Sequence, residues 1–227
     1  MNEPRLILAS QSPRRRELLQ LLGLPFEVTV ADVAETPKEG ETPVELVSRL
    51  SRAKAESAGA GLGGPDADRD ALVMACDTIV ALEEGHNEAQ ILGKPGGPKE
   101  AIAMLRLLRE RCHTVYSAVT LLGPARGTAT EVAQTQLTMR AYSESEIAAY
   151  VATGDPLDKA GAYAIQHEGF HPVREIQGCY ASVMGLPLCH VTRCLGRWGL
   201  RPASDVPSAC QARTGHRCTV YGTILGP

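Results

Sequence analysis

Aromatic side chains are scarce: two Phe, one Trp and six Tyr in 227 residues. A stacking platform for single-stranded nucleic acid has little to be built from. An excess of one charge is also missing. The 23 Lys and Arg face 26 Asp and Glu, for a formal charge of −3, so no broad basic surface for polymeric nucleic acid is expected. Any basic site must be local. No apolar run approaches the length of a membrane span, and the N-terminus lacks the basic, apolar and small-residue order of a signal peptide. The expectation is a cytoplasmic protein with no membrane partner. Seven cysteines are an odd number, and Cys76, Cys179, Cys189 and Cys194 sit in apolar or helical surroundings, as reduced core thiols do. No disulfide framework is read from them. Two phosphate motifs are absent as well: no GxGxxG follows a strand, and the pair Gly93, Lys94 is not the end of a Walker loop. Glu88 stands where that loop needs glycine, and Pro95 where it needs Ser or Thr.

What is present is a chain that is 44% hydrophobic, long enough for a full core, with strand and helix periodicities in alternation. Short apolar strands are expected at 6–9, 26–30 and 72–76. The last is extended by 79–82, with 90–92 returning as a hairpin. Longer alternating stretches cover 114–122 and 131–142, and shorter extended pieces 161–166 and 173–176. Helical spacing marks 13–22, 43–58, 99–109 and 187–198, the last of them. Ser143 with Glu146 makes a capping box for a helix through Val151. Residues 59–70, rich in Gly, Ala and Asp, read as a flexible loop. Strands interleaved with helices give an α/β chain with a mixed sheet. From Gly199 the periodicity fades, so 1–198 is read as one domain and 199–227 as a poorly ordered tail.

The stretch from Leu6 to Gly23, LILASQSPRRRELLQLLG, contains a misfit. Ser12 is a good N-cap and Pro13 suits the first helical position, so Arg14, Arg15 and Arg16 fall in the first turn, where the helix dipole is already positive. Such cations make sense if the turn holds a large anion, with Arg14 and Arg15 bending back over it and Arg16 in water. Alternatively all three are solvated and pair with Glu17 or other surface acids. Asp77 follows a buried strand directly, where ligand sites in open α/β sheets gather. It could bind Mg²⁺ or orient water, or serve only as a hydrogen-bonding acid at a strand end. Glu35, Lys54 and Lys94 taken singly read as surface charges. Gln166 could offer a donor and an acceptor to a base edge or bond the backbone. Cys210, His216 and Cys218 are three donors where structural zinc needs four in tighter spacing.

Six motifs coincide in order: SQSPRR at 10–15, RAKA at 52–55, ACDTIV at 75–80, ILGKP at 91–95, GAYAIQ at 161–166 and VMGLPL at 183–188. Together they resemble the Maf-like nucleotide pyrophosphatases over approximately residues 5–197. The resemblance implies an elongated α/β fold with a mixed sheet and flanking helices in two lobes, similar to inosine triphosphate pyrophosphatases. It further implies a homodimer that hydrolyses nucleoside triphosphates to the monophosphate and pyrophosphate with a divalent cation, Mg²⁺ or Mn²⁺. Ser10, Ser12, Arg14 and Arg15 would then hold phosphate, Lys54 and Lys94 would neutralise charge, and Asp77 with Glu35 would hold the metal. Asp77 would also act as the base. The family branch acting on dTTP and UTP is similar here at Arg14, Thr78 and Gln166. His167, where the family usually has Gly, and Ser117, in place of a frequent Thr-Gly pair, depart from the pattern. Two other expectations stay open: a non-catalytic nucleotide-binding regulator of cell division, and the same chemistry on modified nucleotides.

Overall fold

The computed structural model describes residues 4–60, 71–83, 89–123 and 127–226. Its first half is β1 (Leu6–Ala9), α1 (Pro13–Gln20), β2 (Phe26–Thr29), α2 (Pro43–Ala60), β3 (Leu72–Leu82) and β4 (Gln90–Leu92). Next come α3 (Pro98–Leu108), the hairpin β5 (Cys112–Gly123) and β6 (Gly127–Met139), α4 (Glu144–Ala152) and β7 (Val173–Gln177). A short α5 (Tyr180–Val183) and α6 (Leu188–Gly196) precede α7 (Val206–Thr214) and α8 (Tyr221–Leu225). The sheet order is β2-β1-β3-β5-β6-β7, with β4 also on β3. The three strands β2, β1 and β3 run parallel and all other pairs are antiparallel. This is the mixed sheet that the strand and helix periodicities predict.

Strand β3 organises the core because its side chains alternate between two covered faces. Leu72, Met74 and Cys76 face a cluster with Leu18, Leu19 and Leu22 of α1 and Val191 and Leu195 of α6. Val73 and Ala75 meet Ala55 and Ala58 of α2, and Ile79 and Ala81 meet Leu46, Val47 and Leu50 of the same helix. Each of those three large side chains, fully buried, contributes roughly 1.5–3 kcal/mol. Val80 returns to the first face but packs in a second cluster, with Leu105 of α3 and Ile147 of α4. Thr78 therefore stands between two hydrophobic clusters on one face, while Asp77 points to the α2 face.

The pairing of β3 leaves a gap. Strand β1 covers residues 72–75 and β4 covers 80–82, both on the edge away from β5. Among the described residues, 76–79 have no strand partner on that edge, although β5 backs them throughout. This notch joins the two faces of the sheet.

Several expectations need correction. Residues 161–166 are not extended: Ala160–Ala162 is a 3₁₀ turn and residues 165–166 form a further turn. Gly161, at φ +70°, is required there, since a Cβ would lie 3.1 Å from a Val80 methyl. The helix over 187–198 is not the last, since α7 and α8 follow in the segment read as a tail. Asp205 caps α7 through Ser208 N–H, Gly215 ends it at φ +66°, and Val206 is buried in the main cluster. Buried Leu200 and Val206 supply the apolar anchors that the faded periodicity concealed. The expected loop at 59–70 lies outside the described residues from 61 onward, and α2 itself continues to Ala60.

Candidate active site

The chain leaves β1 at Ala9 and enters α1 through a tight turn. Ser12 N–H donates to Ser10 Oγ (3.2 Å), and Ser12 Oγ accepts the Arg15 N–H (3.5 Å). The first turn of α1 holds no acid, so its positive end is unneutralised from within. The three arginines then diverge. Arg15 donates through Nε to the Gly185 carbonyl (2.9 Å) and through a terminal nitrogen to Thr78 Oγ1 (3.3 Å). Gly185 has φ +106°, and a Cβ there would approach Arg15 Nε to 3.4 Å, so glycine serves both the backbone and the guanidinium. Arg14 makes one long ion pair, 3.5 Å, to Asp158. Arg16 is exposed, as expected.

On the other face of β3, Lys54 of α2 reaches both acids. Its Nζ donates to Asp77 Oδ1 (2.6 Å) and Glu35 Oε1 (2.5 Å). Asp77 is 5% exposed. Burial pushes the Glu35 carboxyl up, but the Lys54 hydrogen bond and the charges of Lys54, Lys94 and Arg15 outweigh it and hold the group below its ordinary value. Glu35 is thereby kept anionic.

These residues border one cavity of about 450 Å³ at the notch, a volume typical of small-molecule sites. Ser10, Ser12, Arg14 and Arg15 line it from the turn and α1, Glu35 and Lys54 from the α2 side, and Thr78 and Lys94 from β3 and the segment after β4. Asp77 is set behind Lys54 rather than on the wall, which follows from its facing α2. Gln166 is not on the wall either. Its turn approaches through Tyr163, whose ring lines the cavity and whose hydroxyl meets His113 Nε2 at 2.7 Å. Burial lowers the His113 imidazole to about 4, so it is neutral at pH 7. Sequence reasoning missed Asp158 and Lys159, which also line the cavity. Lys159 is 9% exposed and donates to Asp155 Oδ1 (2.8 Å) and Asp158 Oδ1 (2.7 Å). The run DPLDKAG at 155–161, three charges and a proline before GAYAIQ, was the signal for them.

The donor set suits a divalent cation of the hard type. Two carboxylates, Asp77 and Glu35, converge within hydrogen-bond reach of one ammonium beside a cation-lined cavity. Mg²⁺ characteristically takes one or two carboxylates and completes its shell with phosphate oxygens and water. Among the described residues no group of three or more His, Cys, Asp or Glu gathers as a self-sufficient metal set, so the remaining donors would come from substrate and solvent.

Fold and cleft together define an α/β protein in which the end of β1, the N-terminus of α1 and the middle of β3 border one cation-lined cavity. The chain belongs to the Maf-like protein family, whose model matches residues 5–198. It is similar to a dTTP/UTP pyrophosphatase of Myxococcus xanthus, 46% identical over 86% of this chain and 93% of that one. A dTTP/UTP pyrophosphatase of Syntrophus aciditrophicus is 44% identical over 86% of this chain and 90% of its own. Among solved structures, the Staphylococcus aureus Ham1 protein overlaps 60% of this chain and 71% of its own, with 16% identity and a TM-score of 0.42.

Proposed function

We propose that the protein hydrolyses nucleoside triphosphates, dTTP and UTP foremost, to the monophosphate and pyrophosphate, with residues 1–198 as the catalytic domain. The observation that carries the reading is the convergence of five cations and two serines from four separate segments on one cavity, with a carboxylate pair at its side. A protein that only retains an anion needs the cations; the paired acids suit a reaction. The names of the similar dTTP/UTP pyrophosphatases support the substrate class.

Ser10, Ser12 and the N–H groups of the turn accept the triphosphate, while Arg14, Arg15 and Lys94 balance its charge. Asp77 takes the proton of the water that attacks phosphorus at the α–β bridge, and pyrophosphate leaves with the bridging oxygen. Lys54 holds Asp77 and Glu35 in place through one hydrogen bond to each. Asp77 and Glu35 would hold Mg²⁺ or Mn²⁺, which supplies charge neutralisation for the developing phosphate anion. Thr78 and Gln166 read the pyrimidine, the latter offering donor and acceptor to its edge. The reading includes a homodimer in the cytoplasm. No helix among the described residues is long and apolar enough to cross a membrane.

The test is pyrophosphate release with Mg²⁺ from dTTP, UTP, CTP, dGTP and 7-methyl-GTP, with Asp77→Asn as control. Selective turnover of dTTP and UTP that disappears in the variant is expected. Tight nucleotide binding with no turnover would instead make the protein a nucleotide-responsive regulator.

A further inference from the structure

The C-terminal segment 199–226 lies outside the residues matched by the family model, yet it is folded against the elements that carry the site. Ala203 N–H donates to the Leu22 carbonyl (2.9 Å), Ser204 Oγ donates to the Leu21 carbonyl, and Arg213 pairs with Glu17 (2.7 Å). All three contacts are to α1 or the turn just after it, the helix whose other end presents Ser12, Arg14 and Arg15. Arg193 of α6 donates to the Ile224 carbonyl (3.0 Å), fixing the end of the segment. Between α7 and α5 the packing is close. The space enclosed by Tyr180, Cys210 and Cys218 is about 10 Å³, barely the room of one water.

One contact leads toward the base-reading turn. The His216 imidazole stacks on the Tyr180 ring, with centroids 5.0 Å apart and 22° between planes. Tyr180 Oη in turn donates to the Ile165 carbonyl (3.5 Å), the peptide that joins Ile165 to Gln166. Ile165 packs against both large hydrophobic clusters, so its position sets how the turn spans the two sides of the cleft. Cys218 N–H donates to Gln211 Oε1 (3.0 Å), which ties the His216 loop back to α7.

We propose that His216 is a positioning residue for substrate selection, acting through Tyr180 to hold the 165–166 peptide and so the Gln166 amide. The inference rests on the reading of Gln166 as the base-reading group. An aromatic stack worth a fraction of a turn's placement gives effects of severalfold rather than loss of activity. The segment thus contributes to which nucleotide is accepted, and the chemistry stays with residues 1–198.

The experiment measures kcat, KM and the calorimetric Kd for UTP and GTP in the full chain and in H216A, H216F, Y180F and Q166A. H216A and Y180F are expected to raise KM and Kd for UTP about threefold or more and to lower the UTP-over-GTP ratio by the same factor. Expected too are a kcat within about twofold of wild type and restoration by H216F, which keeps a stacking ring. A purely structural segment would lower Tm in H216A without moving the UTP-over-GTP ratio. Wild-type KM, Kd and ratio in both H216A and Y180F, with Q166A altered, would overturn the proposal alone. An unmoved ratio in Q166A would remove the base-reading premise and the proposal with it.

Discussion

The two ends of the cleft are built on different terms. At the phosphate end, Arg15 is fixed by a carbonyl and a hydroxyl, and Thr78 and Ser117 share a hydrogen bond of 2.9 Å. Ser117 then donates to the Ser182 carbonyl at 2.7 Å. Lys54 is likewise pinned by two carboxylates. By contrast, Arg14 holds only an exposed 3.5 Å pair to Asp158, and Gln166, toward the other end, stands off the wall on a turn supported from behind. The lesson is that Arg15, Lys54 and Thr78 are preorganised by long-range bonds, whereas Arg14 and Gln166 are held through one or two adjustable contacts.

The largest effect that could break this contrast is at the fixed end. Asp77→Asn keeps the shape and removes a charge from a buried ion pair, so pyrophosphate release should fall about 10²–10⁴-fold while the fold survives. Comparable turnover in the variant would dissolve the division of labour. Next is pH. The neutral His113 behind Tyr163 has a folded value near 4, below its unfolded one, so the unfolded chain binds the extra proton between pH 4 and 6.5. Its stabilising contribution is complete above about pH 6.5 and lost as pH falls toward 4. That loss amounts to about 3 kcal/mol, which thermal melts of wild type and His113→Asn compared across the window should show.

Smaller effects separate the neighbouring arginines. Arg15→Ala breaks two charge-assisted hydrogen bonds to partly buried groups and should cost about 2 kcal/mol, a Tm drop of about 5 °C, besides weakening nucleotide binding. Arg14→Ala gives up an exposed pair worth at most about 1 kcal/mol, so melts should scarcely move while KM for UTP rises. Equal Tm losses in both would erase the distinction between them. Gln166→Ala should lower the UTP-over-GTP ratio about fivefold with kcat retained.

Sequence made the fixed end legible because its signals are local. A cap at Ser12, a proline at the first helical position, a misfit of three cations and an acid after an apolar run can each be read within a few residues, although Asp77 lies inside β3 rather than at a strand end. The sheet followed from the apolar run at 72–76 with its extension at 79–82 and from alternation in 114–122 and 131–142. What escaped depends on contacts between distant segments. Asp77 and Thr78 are adjacent in the chain, yet strand geometry sends them to opposite faces, and only the notch lets both serve one cavity. Residues 161–166 read as extended because Ala, Tyr and Ile suit a strand, whereas Gly161 at positive φ bends the chain against Val80. The tail lacks a periodic apolar face, and its order comes from single anchors such as Val206 and from hydrogen bonds to the end of α1.

The notch in β3 also bears on how the protein's motions can be followed. Residues 76–79 are held by β5 on one side only, so the backbone amides that face the gap lack the interstrand partners that protect their neighbours. A nucleotide in the adjoining cavity, as proposed, would shield them from solvent. Deuterium uptake at those few amides therefore becomes an internal gauge of cleft occupancy, placed in the middle of the sheet rather than at its frayed margins.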